Sequence, residues 1–152
     1  MKDVTVLFLR KADKVLLALK KRGFGEGKWN GVGGKTHSSE TPEEAVTREC
    51  QEEIGVTPTK LKPMGEIEFY MEHDPSFRHH AHLFVAEEWE GEPKETEEMR
   101  PEWFKLEDVP YDDMWAGDIM WLPLVLEGIR ISAAITFGAK DEVIKAEISR
   151  LD

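Results

Sequence analysis

The chain has 152 residues, 40% hydrophobic and 34% charged, with a formal net charge of −11, which fits one domain with its own core rather than two. The acidic balance argues against DNA or RNA polymers as partners, because such binding rests on clustered Lys and Arg that neutralise phosphates. No run approaches the roughly 20 apolar residues needed to span a bilayer, and the lone Cys50 leaves no internal disulfide and suits a reducing compartment, so a cytoplasmic protein is expected.

The apolar run at 4–9 follows Met1-Lys2-Asp3 too closely, and is too short, to read as a secretory signal. Residues 4–9 and 15–20 are β-rich and separated by a polar turn, which predicts a hairpin. The stretch 22–35 carries glycines at 23, 25, 27, 31, 33 and 34 and predicts a loop with close backbone approaches. A helix is predicted over 41–53, with Thr41 as N-cap, Pro42 at the first helical position, Glu44 as capping-box partner and Gly55 as the stop. Two strands are predicted at 66–71 and 81–88, joined by a mobile polar loop over 72–80. The spacing of His73, His79, His80 and His82 fits none of the usual zinc patterns. A short strand at 103–106, a helix at 119–126 ending near Gly128, and a hairpin of 129–137 and 143–150 complete the chain. Strands before, between and after two helices imply an α/β (α+β) sandwich with a mixed sheet, one domain over 1–152.

The helix at 41–53 holds the clearest chemistry. Positions three and four apart share a helical face, so Glu49, Glu52 and Glu53 occupy one arc, beside an apolar stripe of Val46, Cys50 and Ile54 that can dock on the sheet. Crowded carboxylates repel by a few tenths of a kcal/mol per exposed pair, roughly. A hard dication reverses that sign, and an oxygen-only donor set points to Mg²⁺ or Mn²⁺ rather than zinc. An isolated Glu-x-x-Glu-Glu reads as a solvated face; the surroundings here say otherwise. Gly34 is followed after five residues by Glu40, and after seven more by Arg48-Glu49-Cys50-Gln51-Glu52-Glu53-Ile54-Gly55-Val56.

That run resembles the signature box of the Nudix hydrolases over 34–56, with Cys50 in a position usually held by an aliphatic residue. The resemblance implies an α/β/α sandwich and a Mg²⁺-dependent pyrophosphohydrolase, with Mn²⁺ as the alternative ion. It implies that Glu49, Glu52 and Glu53 hold the metal with the carbonyl of Gly33, and that Glu40 and Arg48 stabilise the loop–helix geometry. Glu52 or Glu53 would take the proton from the attacking water.

The flanking stretches are more specific. Lys20-Lys21-Arg22-Gly23-Phe24-Gly25, Gly27, Trp29-Asn30-Gly31 and Gly33-Gly34-Lys35 look like the oxidised purine nucleoside triphosphate hydrolases. So do Glu98-Met99-Arg100-Pro101, Trp103-Phe104 and Asp113-Met114-Trp115, followed by Asp118, Trp121 and Pro123. By that resemblance Asn30 bonds the purine edge, Asp118 faces the base, Trp115 and Phe69 pack on the ring, and Thr5, Lys20, Phe24 and Met99 line the pocket. Gly34 and Lys35 are expected at the substrate, with Lys20 and Lys35 bringing positive charge near its phosphates, and Glu98 is expected as a further metal ligand. Trp103, Phe104 and Trp121 are expected in the core, Cys50 as an inert buried thiol, and Lys21 and Arg22 in solvent.

Two departures stand out. The related enzymes carry two consecutive acidic residues where this chain has Gly117-Asp118, and an aromatic where it has Met71. The resulting expectation is a monomer that converts an oxidised or modified purine nucleoside triphosphate to the monophosphate and pyrophosphate. The rival readings are a Nudix enzyme for dinucleoside polyphosphates, nucleotide sugars or capped nucleotides, and a non-catalytic nucleotide sensor.

Overall fold

The apolar runs at 4–9 and 15–19 are nearly continuous, the pattern of strands covered on both faces. In the computed structural model, which describes residues 1–152, β1 (Lys2–Lys11) and β2 (Lys14–Lys20) form the hairpin, with Leu9 opposite Leu16. The glycine-rich stretch adds only the two-residue β3 (Trp29–Asn30) beside β2.

The first helix, α1 (Pro42–Ile54), is capped at both ends. Thr41 Oγ1 accepts from the Glu44 N–H at 3.1 Å and Glu44 Oε1 accepts from the Thr41 N–H at 2.9 Å, so the capping box is closed in both directions. Gly55 ends the helix in the left-handed region at φ 73°, its N–H donating to the Gln51 carbonyl.

Then come β4 (Thr57–Pro58), β5 (Lys62–Met71), β6 (Asp74–Ala86), β7 (Trp89–Glu90) and β8 (Met99–Lys105). After α2 (Asp118–Leu126) the chain closes with the hairpin β9 (Ile131–Phe137) and β10 (Val143–Arg150). The main sheet runs β10-β9-β5-β6-β1-β2-β3, with β8 also paired to β2, and β4 with β7 makes a separate small ribbon. The β1–β6 and β5–β9 pairs are parallel and the others antiparallel. This is the expected mixed sheet.

Strand alternation divides the sheet into two faces. Leu7, Leu9, Leu16, Ala18 and Phe84 pack against Val46, Cys50 and Ile54 of α1. Phe8, Val15, Leu17, Ile67, Ala81, Leu83 and Ile135 pack against Trp121, Leu122 and Val125 of α2. Each such fully buried aliphatic side chain contributes about 1.5–3 kcal/mol. The sandwich is therefore closed by one helix on each face.

The expected polar loop over 72–80 is not a loop. Residues 74–80 are already strand, with Phe69 opposite His79 and Tyr70 opposite Arg78, and only Glu72 and His73 make the turn. Polar residues hide the alternation there: Phe77, His79 and Ala81 line the α2 face, while His80 and His82 point to the other. The strand expected at 103–106 likewise begins earlier, at Met99, because β8 pairs along the whole of β2 from Lys14↔Lys105 to Lys20↔Met99. Pro101 is tolerated because β8 pairs with β2 alone, so its missing N–H breaks no second ladder.

Candidate active site

The loop before α1 is fixed by an arginine. Arg48 grips Glu40 with two nitrogens, Nε to Oε2 at 2.7 Å and Nη2 to Oε1 at 3.1 Å, and Nη2 also donates to the Lys35 carbonyl at 3.0 Å. Its Nη1 reaches Glu49 Oε1 at 2.9 Å and Glu52 Oε2 at 3.3 Å. The guanidinium and the His37 N–H hold the Glu40 carboxyl at about 2, well below the carboxylate range. Glu40 and Arg48 thus form a planar clamp joining loop to helix.

The paired glycines permit two close approaches. A Cβ on Gly33 would lie 1.9 Å from the Thr5 carbonyl oxygen, and one on Gly34 would lie 2.6 Å from Cδ of Glu49. With no side chain there, the Gly33 N–H donates to Glu53 Oε1 at 2.8 Å, and Thr5 bonds Gly34 through backbone and hydroxyl.

A third segment arrives from the far side of α1. Thr96 Oγ1 donates to the Glu53 carbonyl at 2.9 Å and accepts from the N–H groups of Glu98 and Met99. This tie brings Glu98 to the cleft that Glu49, Glu52 and Glu53 share with Arg22, Thr96 and Glu97. Arg22 is exposed, as expected, and stands 3.5 Å from Glu98 on the cleft rim.

Glu53 is only 5% exposed. Burial pushes its carboxyl up to about 8, against the Gly33 N–H; the charges of Glu49 and Glu98 push it further up while Lys20 opposes them. A buried carboxyl group in a cleft with four others wants a counter-charge, and the side-chain ligand atoms they offer are all oxygen. The residues present therefore fit a hard divalent cation.

On the opposite face of the sheet lies a cavity of about 130 Å³ with a mostly apolar wall. Phe24, Phe69, Phe77, Trp115, Trp121 and Phe137 surround it, and Asn30, His79 and Asp118 supply its polar positions. Phe24 stacks on Trp115 at 5.1 Å between ring centres, and Lys28 Nζ sits 5.1 Å over the Trp115 ring. Asn30 Oδ1 accepts from the Gly31 N–H at 2.8 Å, which fixes the amide and leaves its NH₂ to donate. Asp118, the first residue of α2, is 3% exposed. Burial raises its carboxyl to about 7, opposed by the Trp121 indole N–H and the charge of Lys28. His79 is held below the ordinary histidine range by burial and then by the charges of Lys2 and Lys35.

Of the residues expected around the base, the structure brings together Phe24, Asn30, Phe69, Trp115 and Asp118. Thr5, Lys20 and Met99 do not line this cavity. Thr5 shares the α1 face with Leu7 and bonds Gly34; Met99 is buried in the core beneath α1; and Lys20, opposite Met99, is close enough to lower Glu53. Strand periodicity sends all three to the carboxylate side. Gly34 and Lys35 also lie there, the Lys35 carbonyl being held by Arg48. Trp121 lies in the core yet forms part of the cavity wall, while Phe104 packs edge-on to Trp29 and Trp103 stacks on Trp89. Phe77, His79 and Phe137 line the cavity although no motif marked them; the period-two alternation of β9 finds Phe137, while Phe77 and His79 fall where polar residues hide that of β6.

The sequence matches the NUDIX domain over residues 1–125. It is 40% identical to the oxidized purine nucleoside triphosphate hydrolase of Danio rerio over 151 residues, 99% of this chain and 96% of that one. The Mus musculus protein of the same name is 37% identical over 148 residues, 97% of this chain and 94% of its own length. Among solved structures, a MutT protein from Bacillus halodurans superposes with a TM-score of 0.84 at 25% identity, covering 98% of both chains. The domain match and the near-full-length relatives agree with the Glu40–Arg48 clamp and the carboxylate helix, and the chain belongs to the Nudix hydrolase family.

Proposed function

We propose that the protein hydrolyses an oxidised or otherwise modified purine nucleoside triphosphate to the monophosphate and pyrophosphate with Mg²⁺, and so cleans the cytoplasmic nucleotide pool. The observation that carries this reading is the aromatic cavity with Asn30 and Asp118 as polar contacts, on the same domain as the carboxylate cleft. Its size and stacking surface suit a flat heterocycle, and the relatives that share nearly the whole chain bear the matching name. The net charge of −11 favours a small metal-bridged polyphosphate over a nucleic-acid polymer.

The base enters the cavity walled by Phe69 and the stacked Trp115–Phe24 pair, and the Asn30 NH₂ donates to an acceptor on its edge. Asp118, with its carboxyl near 7, can donate to the ring when protonated and accept when ionised. Segment 22–35 runs from Phe24 in the cavity wall to Gly33 and Gly34 at α1, and so leads from base to phosphates. Glu49, Glu52, Glu53 and Glu98, with the Gly33 carbonyl, would hold Mg²⁺, which when bound neutralises phosphate oxygens and orients water. Lys20 and Arg22 bring positive charge to the phosphates. The water oxygen bonds to phosphorus as an anhydride P–O bond breaks, and Glu52 or Glu53 accepts the proton.

The test is pyrophosphate release with Mg²⁺ across paired modified and unmodified purine triphosphates. A higher kcat/KM for the modified member of a pair supports the reading. Equal rates within each pair, or products other than monophosphate and pyrophosphate, contradict it.

A further inference from the structure

On the α1 face, metal-binding side chains from three neighbouring strands meet outside the carboxylate cleft. Asp3 of β1 pairs with His80 of β6, and His82 pairs with Glu66 of β5, so all four project from one side of the sheet. Asp3 Oδ1 stands 3.2 Å from His82 Nε2 and 3.8 Å from His80 Nδ1. Glu66 sits against the other edge of both rings, Oε2 at 3.0 Å from His80 Nε2 and Oε1 at 4.0 Å from His82 Nδ1. The two imidazoles stack at 4.7 Å, with their planes 18° apart.

Tetrahedral zinc, with bonds of about 2.0–2.1 Å, needs ligand atoms roughly 3.4 Å apart. One donor atom each from Asp3, His80 and His82 already lies within 4.8 Å of the others, and the Asp3 distances bracket that spacing. Ligating histidines usually donate their second N–H to a carboxylate, which is where Glu66 stands. His82 Nε2 already lies within hydrogen-bonding distance of Asp3 Oδ1 at 3.2 Å, whereas His80 Nδ1, at 3.8 Å, does not, so a cation would replace the one contact and supply the other. Mixed nitrogen and oxygen donors favour the zinc class over Mg²⁺.

We infer that Asp3, His80 and His82 form a second cation site, for Zn²⁺ or a dication of its class, with Glu66 orienting the imidazoles and water in the fourth position. The site fastens the start of β1 to β6. The Asp3 carbonyl accepts from the Thr36 N–H at 2.9 Å, so the ion also steadies the strand on which the loop before α1 hangs. This inference does not depend on the proposed substrate.

The test is Zn²⁺ titration of the whole chain with saturating Mg²⁺ on the carboxylate helix, read by chelator competition and by the visible absorption of four-coordinate cobalt(II). The wild type should bind one equivalent. H80Q/H82Q should weaken binding at least a hundredfold and lose the cobalt band, D3N should weaken it at least tenfold, and E66Q about 10–100-fold. Hydrolysis by zinc-free H80Q/H82Q should match that of the zinc-free wild type. Zinc retained with equal affinity in the double variant, or no zinc bound by the wild type, overturns the inference. Should the double variant fail to fold, E66Q decides: unchanged affinity is then the contradicting result.

Discussion

The carboxylate cleft and the aromatic cavity share one sheet but are built by opposite means. The cleft is assembled from local sequence: a capped helix, an arginine eight residues from its partner Glu40, and two glycines that let Glu49 and Glu53 reach the loop. The cavity is assembled from distant strands and loops, with Phe24, Phe69, Phe77, Trp115 and Phe137 converging from five parts of the chain. Its polar groups are few, and one of them, Asp118, is poised to change protonation near neutrality. The difference suggests a division of labour, in which the helix sets the reaction and the cavity sets the choice of base.

The strongest way to break that division is at Glu53. Glu53→Gln should lower kcat by roughly 10²–10⁴-fold on every substrate while nucleotide still binds, measured by pyrophosphate release and by equilibrium titration. Retained full turnover would remove the helix from the chemistry. On the cavity side, Asp118→Asn should lower the modified-to-normal kcat/KM ratio by roughly 5–150-fold, the scale of 1–3 kcal/mol for one mismatched buried polar contact. In the wild type this ratio should change as pH crosses about 7, where Asp118 titrates, and in Asp118→Asn it should stay flat.

A proton-linked effect sharpens the cleft. Free Glu53, raised to about 8, is largely protonated at neutral pH, and a cation must displace that proton. Mg²⁺ affinity should therefore rise with pH up to about 8 and level off above it. Calorimetry in buffers of different ionisation heat should find close to one proton released per binding event at neutral pH; none released would contradict the buried, protonated Glu53.

The smallest effect is purely local. Thr41→Ala opens the capping box and should cost about 0.5–2 kcal/mol in denaturant unfolding, with the substrate ratio untouched. Acid sensitivity belongs to the same loop. Glu40 has its carboxyl lowered, so its stabilising contact is present above the unfolded value of 4.5 and is lost as pH falls towards about 2, a transition that Arg48→Ala should weaken, leaving the smaller part due to the His37 N–H.

The same contrast explains what the sequence made legible. The helix, its caps and the Glu40–Arg48 clamp are fixed by near neighbours in the chain, so residue identity is enough to place them. The cavity depends in part on which way strand residues point, and a motif does not say that Thr5, Lys20 and Met99 lie on the α1 side of the sheet. Thr5, Lys20 and Met99 sit on well-paired strands, so a strict count of twos from Leu7 and Leu16 puts Thr5 and Lys20 on the α1 side, with Met99 opposite Lys20. The stretch 74–80 was hidden differently: its histidines and charges resemble a loop, but pairing with β5 makes it strand and sets His80 and His82 on one face. No linear spacing could join them to Asp3 and Glu66, which lie on other strands.

The most direct test of the division of labour is the modified-to-normal purine triphosphate kcat/KM ratio in Glu52→Gln and Asp118→Asn, each measured beside the wild type. The account predicts that Glu52→Gln slows both substrates by the same factor and leaves the ratio unchanged, while Asp118→Asn collapses the ratio. A ratio that shifts in Glu52→Gln and holds in Asp118→Asn would contradict it.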